Sequence, residues 1–311
     1  MGIESPPQQA QGDYDFYLES ITKKMQFKNK ISELADLYEY FIFDIWGVIH
    51  DGNTLYPGVV EAISLLRSKN KKICFLSNAP RRAIRVADAL KKLGIASHLY
   101  DFILTSGEAA YLDLEKNQKN GFKNFGQNYT YIGPDKDLDL LDGLNYKIVN
   151  SAKDADFALT TGFNEDSSTL EEKLPQILDA KNFNLPLICV NPDFIVVRQN
   201  GTESLCAGVL AKEYEKMSGK VFYYGKPHES VYKIVCEIFN NNDNFKMIAI
   251  GDAMETDIKG ATNFKIDCAL ITGGILSNTL GAKHGEVADK VKLEAICQSH
   301  KLFPQFVLPK I

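Results

Sequence analysis

At 311 residues the chain is longer than one small domain needs, and two lobes are the first expectation. Its 35 basic against 40 acidic residues make it mildly acidic with no basic block, so charge gives no support for nucleic acid as a partner. No apolar stretch approaches a membrane span, no signal-peptide core follows Met1, and six scattered cysteines without a C-x-x-C pair fit buried, reduced thiols, so a cytoplasmic protein with no membrane partner is expected.

In chain order, residues 1–12 are rich in Pro, Gln and Gly and are expected to be disordered, while 13–38 read as an amphipathic helical lead-in. Tyr40–Phe43 is a short apolar run suited to a buried parallel strand, and it stops at Asp44. Pro57-Gly58 opens a helix, 72–76 reads as a second strand, and a helix from about Arg81 to Leu93 is stopped by Gly94. This alternation implies right-handed crossovers and a parallel sheet. Strand candidates at 129–132, 146–149, 157–160 and 187–190, with helices over 168–180 and 203–217, describe an inserted lobe. The first pattern then resumes with a strand at 221–224, a helix over 228–239, strands at 247–250 and 267–271, a short helix from Thr256 between them, and a last helix–strand pair. The expected fold class is α/β: a Rossmann-like doubly wound parallel sheet core over 39–111 and 220–311, an inserted α/β cap domain over 112–219, and a tail and lead-in over 1–38.

Four short segments carry the residues that could do chemistry: Asp44-Ile45-Trp46-Gly47, Ser77-Asn78, Lys226-Pro227, and Gly251-Asp252 with Asp257 behind it. Each falls where an apolar run breaks into small or polar residues, at the carboxyl end of a parallel strand, where open α/β sheets bind ligands. A carboxylate ending a buried strand is costly unless a metal or hydrogen bonds compensate it. Asp44 could attack phosphorus and form an acyl phosphate, the plain alternative being a cap on the following turn. Asp252 repeats the strand-then-aspartate pattern, and two such carboxylates suit Mg²⁺, a hard cation that keeps room for water and phosphate oxygen. Asp257 is balanced between a helix-start carboxylate favoured by the dipole and a support for the metal site. The Ser77 hydroxyl and Asn78 amide can hold a phosphoryl oxygen, although Ser-Asn is also a common turn. Lys226 sits on a stiff strand exit where its ammonium can neutralise nucleophile and phosphate together, and Pro227 after it rules out a P-loop.

In this order and at these strand ends, the segments resemble the four motifs of the haloacid dehalogenase superfamily of phosphohydrolases, over residues 40–311. Gly47-Val48 followed by Pro57-Gly58, Ser77-Asn78-Ala79-Pro80-Arg81-Arg82, Tyr224-Gly225-Lys226-Pro227-His228 and Gly251-Asp252-Ala253-Met254-Glu255-Thr256-Asp257-Ile258 are similar to its subfamily IIA branch of nucleotide, sugar and para-nitrophenyl phosphatases. That branch carries a large α/β cap between the second and third motifs. The resemblance implies Asp44 as nucleophile and Mg²⁺ ligand, Trp46 as a ligand through its backbone carbonyl, and Ser77 with Asn78 as phosphate binders. It further implies Lys226 as the charge-neutralising lysine, Asp252 as a Mg²⁺ ligand and Asp257 as its support. The implied activity is Mg²⁺-dependent hydrolysis of a small phosphorylated metabolite, a sugar phosphate or a nucleotide, through an aspartyl phosphate; a homo-oligomer is left open.

One position departs from the pattern. Family phosphatases usually place an aspartate two residues after the nucleophile, where it protonates the leaving oxygen and then helps water attack, and here that residue is Trp46. General acid–base help is worth about 10²–10⁴ in rate, so its loss would favour aryl or acyl phosphates over alkyl ones. A catalytically weak phosphometabolite-binding protein is therefore the alternative function. His50, in the turn beyond, is a candidate substitute acid and base, against the alternative of a surface turn histidine. Arg81, Arg82, Arg198, Gln199 and Asn200 are candidates for substrate contact, with solvent exposure the plainer reading for each. A dinucleotide oxidoreductase is disfavoured because no G-x-G-x-x-G follows the first strand.

Overall fold

The structure is a computed structural model that describes residues 25–120, 125–164, 168–197, 203–241 and 246–311. Residues 1–12, the first part of the lead-in, and Arg198, Gln199 and Asn200 lie outside the described residues. Strand β1 (Gln26–Phe27) and a 3-10 turn at Ile31–Leu34 precede β2 (Tyr40–Phe43), β3 (Lys72–Ser77) and β4 (Phe102–Thr105). The helices Val59–Ser68 and Ala83–Leu93 make the crossovers, and the second ends at Gly94 in the left-handed conformation.

After the helix Ser106–Asn120 the chain enters a second sheet through β5 (Asn128–Ile132), β6 (Lys147–Ile148), β7 (Phe157–Thr160), the helix Leu170–Asn182 and β8 (Leu187–Cys189). A hairpin of β9 (Ile195–Val197) and β10 (Glu203–Leu205) leads into the helix Ala207–Lys216 and then β11 (Val221–Tyr223). The helix expected over 203–217 therefore starts later, because Glu203–Leu205 finds an antiparallel partner in β9. The cap sheet runs β11-β8-β7-β5-β6, all parallel. Val221–Tyr223 thus belongs to the cap, not to the resumed core as expected, and the helix Ser106–Asn120 crosses the expected cap boundary at 112. A short apolar strand carries no local mark of which sheet it will join, so these boundaries follow only from pairing.

The helix Glu229–Phe239 returns the chain to the core, where β12 (Met247–Gly251), β13 (Asp267–Ile271) and β14 (Phe306–Leu308) complete a seven-stranded sheet in the order β1-β14-β13-β12-β2-β3-β4. All of its pairs are parallel. The lead-in contributes an edge strand to it, Gln26 opposite Phe306 and Phe27 opposite Val307, instead of a helix to residue 38. The periodicity behind the helical reading is genuine burial of Ile31, Leu34, Ala35 and Tyr38, delivered by a 3-10 turn and loop once the free edge of β14 has captured the residues before them.

Side-chain alternation explains why helices cover both faces of this sheet. Phe41, Phe43, Ile73, Phe75, Ile248 and Ile250 point to one face and pack with Ile63, Leu66 and Leu90 of the crossover helices. Ile42, Cys74, Leu76, Met247 and Ala249 point to the other and pack with Val231, Tyr232 and Val235. The chain runs outward from β2 through β3 to β4, and outward the other way from β12 through β13 to β14, so strand order reverses between β2 and β12. A crevice forms outside the carboxyl ends of the strands at such a switch point. Asp44 follows β2 and Asp252 follows β12, which places both carboxylates at that crevice.

Phe75 is fully buried between Phe43 and Tyr100, with ring centroids 6.4 and 5.2 Å away. Phe75→Ala is expected to lower unfolding free energy by about 3–5 kcal/mol. Val291→Ala, at a position 76% exposed, should change it by less than about 0.5 kcal/mol. Urea midpoints of the two variants, compared at equal slope, check this.

Candidate active site

Four charged side chains from three separate parts of the chain meet at the switch point. The backbone N–H of Asp44 donates to the Ile250 carbonyl at 2.8 Å, the last rung between β2 and β12, and this fixes where the Asp44 side chain leaves the sheet. Lys226, just past the end of β11, reaches in from the cap-to-core connection and places Nζ 2.5 Å from Asp44 Oδ1 and 2.6 Å from Asp257 Oδ1. Asp257 lies on a π-helical turn at Met254–Ile258, and its Oδ2 accepts from Ala253 N–H at 3.2 Å. Such turns recur at functional sites because the extra residue re-aims a side chain. Asp252 Oδ2 accepts from Ile275 N–H at 2.7 Å.

Lys226 is 3% exposed, Asp252 and Asp257 4% each and Asp44 9%, so the cluster is screened little by solvent. Burial pushes Asp44 above the ordinary carboxylate range, the ammonium of Lys226 opposes this, and Asp257 adds to it. Burial likewise raises Asp252, reinforced by the charges of Asp44 and Asp257. For Lys226, burial alone would lower the pKa, but the carboxylates of Asp257 and Asp44 outweigh it and hold the lysine above its ordinary value.

Carboxylate oxygens of Asp44, Asp252 and Asp257 lie within 4.8 Å of one another. One ammonium cannot balance three carboxylates, and an oxygen-only donor set with excess negative charge fits a hard divalent cation. Among the described residues Asp44 and Asp252 each keep one oxygen without a hydrogen bond, whereas both oxygens of Asp257 already bind Lys226 and Ala253 N–H. Gly47 lets the loop close over them. Its φ is +83°, and a Cβ there would fall 1.9 Å from Asp252 Oδ2.

The phosphate-binding pair expected at Ser77 and Asn78 divides. Ser77 is half-buried, lines the cleft, and its Oγ accepts from Ala79 N–H at 3.2 Å while keeping its own proton to donate. The Asn78 side chain is spent within the protein. Its Nδ2 donates to the Lys226 carbonyl at 2.9 Å and to Asp193 Oδ1 at 2.7 Å, and its Oδ1 accepts from Lys226 N–H at 2.7 Å and from Ser106 Oγ at 3.4 Å. With both amide hydrogens and both lone pairs used, the Asn78 side chain clamps the Lys226 backbone instead of binding phosphate, a correction that only tertiary contacts reveal.

Trp46 lines the cleft, but His50 does not. The His50 ring stands edge-on to the Trp46 indole, centroids 5.6 Å apart, and Nδ1 accepts from Gly52 N–H at 2.9 Å. Burial lowers its pKa, so the ring is held as a neutral hydrogen-bond acceptor that shapes the turn, and the acid and base role considered for it is not supported by its position. Arg82 is also committed, paired through Nε with Glu108 at 2.8 Å and stacked on Tyr111. Arg81 does line the cleft, 3.9 Å from the buried carboxylate of Asp137.

The cleft between core and cap has a volume of about 1620 Å³. Two residues in its wall escaped sequence reasoning. Tyr56 stacks on His284 with centroids 4.0 Å apart, and burial with the nearby Asp252 and Asp51 pushes its phenol up to about 12. Asp193 reaches in from the cap. It follows the apolar strand β8 through Val190-Asn191-Pro192, whereas Asp44 and Asp252 come directly after their strands.

Comparison with known proteins agrees with this geometry. A family model described as haloacid dehalogenase-like hydrolase matches residues 41–147, and a second, HAD-hydrolase-like, matches 223–294, together more than half the chain. The sugar-phosphatase AraL of Bacillus subtilis (strain 168) is 29% identical over 252 residues, 79% of this chain and 85% of that protein. Phosphoglycolate phosphatase 2 of Arabidopsis thaliana is 36% identical over 90 residues, and the match spans only 30% of its length. Among solved structures, a haloacid dehalogenase-like hydrolase from Brucella suis 1330 superposes with a TM-score of 0.74 at 28% identity, covering 91% of this chain and 99% of that one. With its motif residues gathered at the switch point of a capped α/β core, the chain belongs to the haloacid dehalogenase-like hydrolases, in the subfamily IIA-like branch.

Proposed function

We propose that the protein is a magnesium-dependent phosphomonoesterase that acts on a small phosphorylated metabolite, of the sugar phosphate kind, through an aspartyl phosphate on Asp44. The observation that carries this reading is the buried bridge of Lys226 between Asp44 and Asp257, at 2.5 and 2.6 Å, beside a third carboxylate on Asp252. Lys226 opposes the rise that burial imposes on Asp44 and so favours the ionised form a nucleophilic carboxylate requires, and it is placed to share its charge with an incoming phosphoryl group. The Ser77 hydroxyl is available for a phosphoryl oxygen, and Asn78 fixes the lysine's backbone. Asp44 and Asp252 would hold Mg²⁺, which when bound offsets the charge on the phosphoryl oxygens. The cap lines one side of the cleft, and closing it over a substrate would exclude water. AraL and the Arabidopsis relative, named as phosphatases of small metabolites, support the substrate class.

A second reading, a phosphometabolite-binding protein with weak turnover, is favoured by one observation: Trp46 fills the position of the usual acid and base and is braced by His50. Covalent trapping separates the two. Wild-type protein denatured during turnover of 4-nitrophenyl [³²P]phosphate should retain hydroxylamine-labile label, and Asp44→Asn should retain none and lose turnover by about three orders of magnitude or more. Phosphate binding without labelling would favour the second reading.

Trp46 is the chain's one tryptophan and sits beside the carboxylates, so its fluorescence should report metal entry. Titrating Mg²⁺ into chelator-treated protein is expected to change its emission, and Asp252→Asn should weaken the midpoint at least about tenfold. Equal midpoints would remove Asp252 from the metal site.

A further inference from the structure

If the chain hydrolyses esters, some group must protonate the leaving oxygen, and the indole of Trp46 cannot. Most other acids in the cleft are occupied. Asp51 Oδ1 accepts from Asn53 and Thr54 N–H at 3.0 and 2.9 Å and holds its own turn. Glu215, Glu229 and Glu255 are paired with Lys212, Lys233 and Lys259. Asp137 faces Arg81 of the core at 3.9 Å without a hydrogen bond and, unlike Asp193, makes no hydrogen bond to Asn78. Asp193 differs from these because it bonds to Asn78, the residue that also holds the backbone of Lys226.

The cap presents Asp193 on a built support. Its N–H donates to Asn191 Oδ1 at 3.1 Å and its carbonyl accepts from Gly208 N–H at 3.1 Å, which fixes the backbone from both sides. At the cap-to-core connection Gly225 has φ +123°, and a Cβ there would fall 2.7 Å from Pro192 Cδ and 2.6 Å from Asn78 Oδ1. Only glycine lets cap and core converge at this point. Asp193 Oδ1 accepts from Asn78 Nδ2 at 2.7 Å, and the same Asn78 holds the backbone of Lys226. Asp193 Oδ2 makes no hydrogen bond among the described residues, and the residue lines the cleft shared with Asp44, Trp46 and Ser77.

We propose that Asp193 is the general acid and base of the reaction, supplied by the cap in place of the aspartate that Trp46 replaces. The inference rests on the phosphomonoesterase reading. As Asp44 attacks phosphorus and the P–O bond to the leaving group breaks, the departing oxygen takes the Asp193 proton, giving the alcohol, the aspartyl phosphate and the Asp193 carboxylate. Water then attacks the aspartyl phosphate, its proton passing to Asp193 as the bond from phosphorus to Asp44 breaks, which returns orthophosphate and both starting carboxyl groups. Burial supports the protonated form, raising Asp193 to about 6, with Asn78 and Lys226 opposing the rise and Asp257 adding to it.

The test is kcat/KM for full-length wild type, Asp193→Asn and Asp193→Glu with Mg²⁺, across 4-nitrophenyl phosphate, phenyl phosphate and glycerol phosphate. The asparagine variant keeps an acceptor for Asn78 but has no proton to give. It is expected to lose about 10²–10⁴-fold on glycerol phosphate and less than about tenfold on 4-nitrophenyl phosphate. Asp193→Glu should recover part of the loss on glycerol phosphate, a recovery that folding alone would not confine to poor leaving groups. A loss equal across the series, or none, overturns the role of Asp193 and leaves the esterase reading standing. Wild type inactive on all three esters overturns that reading and the inference with it.

Discussion

The structure is organised around one buried ammonium shared by two carboxylates. Taking Lys226, Asp44 and Asp257 out of water is costly, and their mutual attraction repays it only while all three hold position, since removing one partner from a buried pair costs about 3–5 kcal/mol. Each is therefore fixed by independent backbone geometry: Asp44 by the last rung between two central strands, Asp257 by a π-helical turn, and Lys226 by the clamp of Asn78 on its N–H and carbonyl. Because Lys226 closely follows the last cap strand, the cap's return to the core and the assembly of the charge cluster are a single structural event.

The same cluster is what makes the site suited to a cation. With Asp252 added, three carboxylates face one ammonium in a space screened little by solvent, and burial together with their mutual repulsion raises Asp44 and Asp252 above the ordinary carboxylate range. Gly47 lets the loop after Asp44 pack directly against Asp252, which brings the carboxylates together. Trp46 occupies the cleft wall near these carboxylates, braced by His50 and Gly52, so under the proposed function an indole stands where the usual acid would be while the carboxylate cluster keeps its geometry.

Much of this was legible in the chain because strand ends have a local signature. An apolar run that stops at an aspartate or lysine says where a buried strand delivers a charge, and Asp44, Asp252 and Lys226 follow from that alone. Properties that depend on partners far away in sequence were not legible. Asn78 reads as a phosphate ligand until its hydrogen bonds to Lys226, 148 positions away, are seen. The β11 segment has the same composition in either sheet, and only its pairing with β8 assigns it to the cap. Gln26 and Phe27 form a strand because β14 offers an open edge. His50 lies close to Trp46 in sequence, yet the turn carries its ring onto the indole and away from the cleft.

Asp193 shows the limit from the other side, since three residues separate it from the end of β8 and only its bond to Asn78, 115 positions away, ties it to the core. In an inserted α/β cap the strands are built by the same rules as the core, so the cap sheet also has a carboxyl end with its own strand-end groups. Here the end of β8 delivers Asp193 to Asn78, at the seam where cap and core meet. Under the proposed function, metal and phosphate contacts fall to core strand ends and the lysine connection, while groups facing the leaving side of a substrate come from the cap and from Trp46. That division lets one half of a site change its chemistry while the buried ion cluster, whose disruption would cost folding energy, stays as it is.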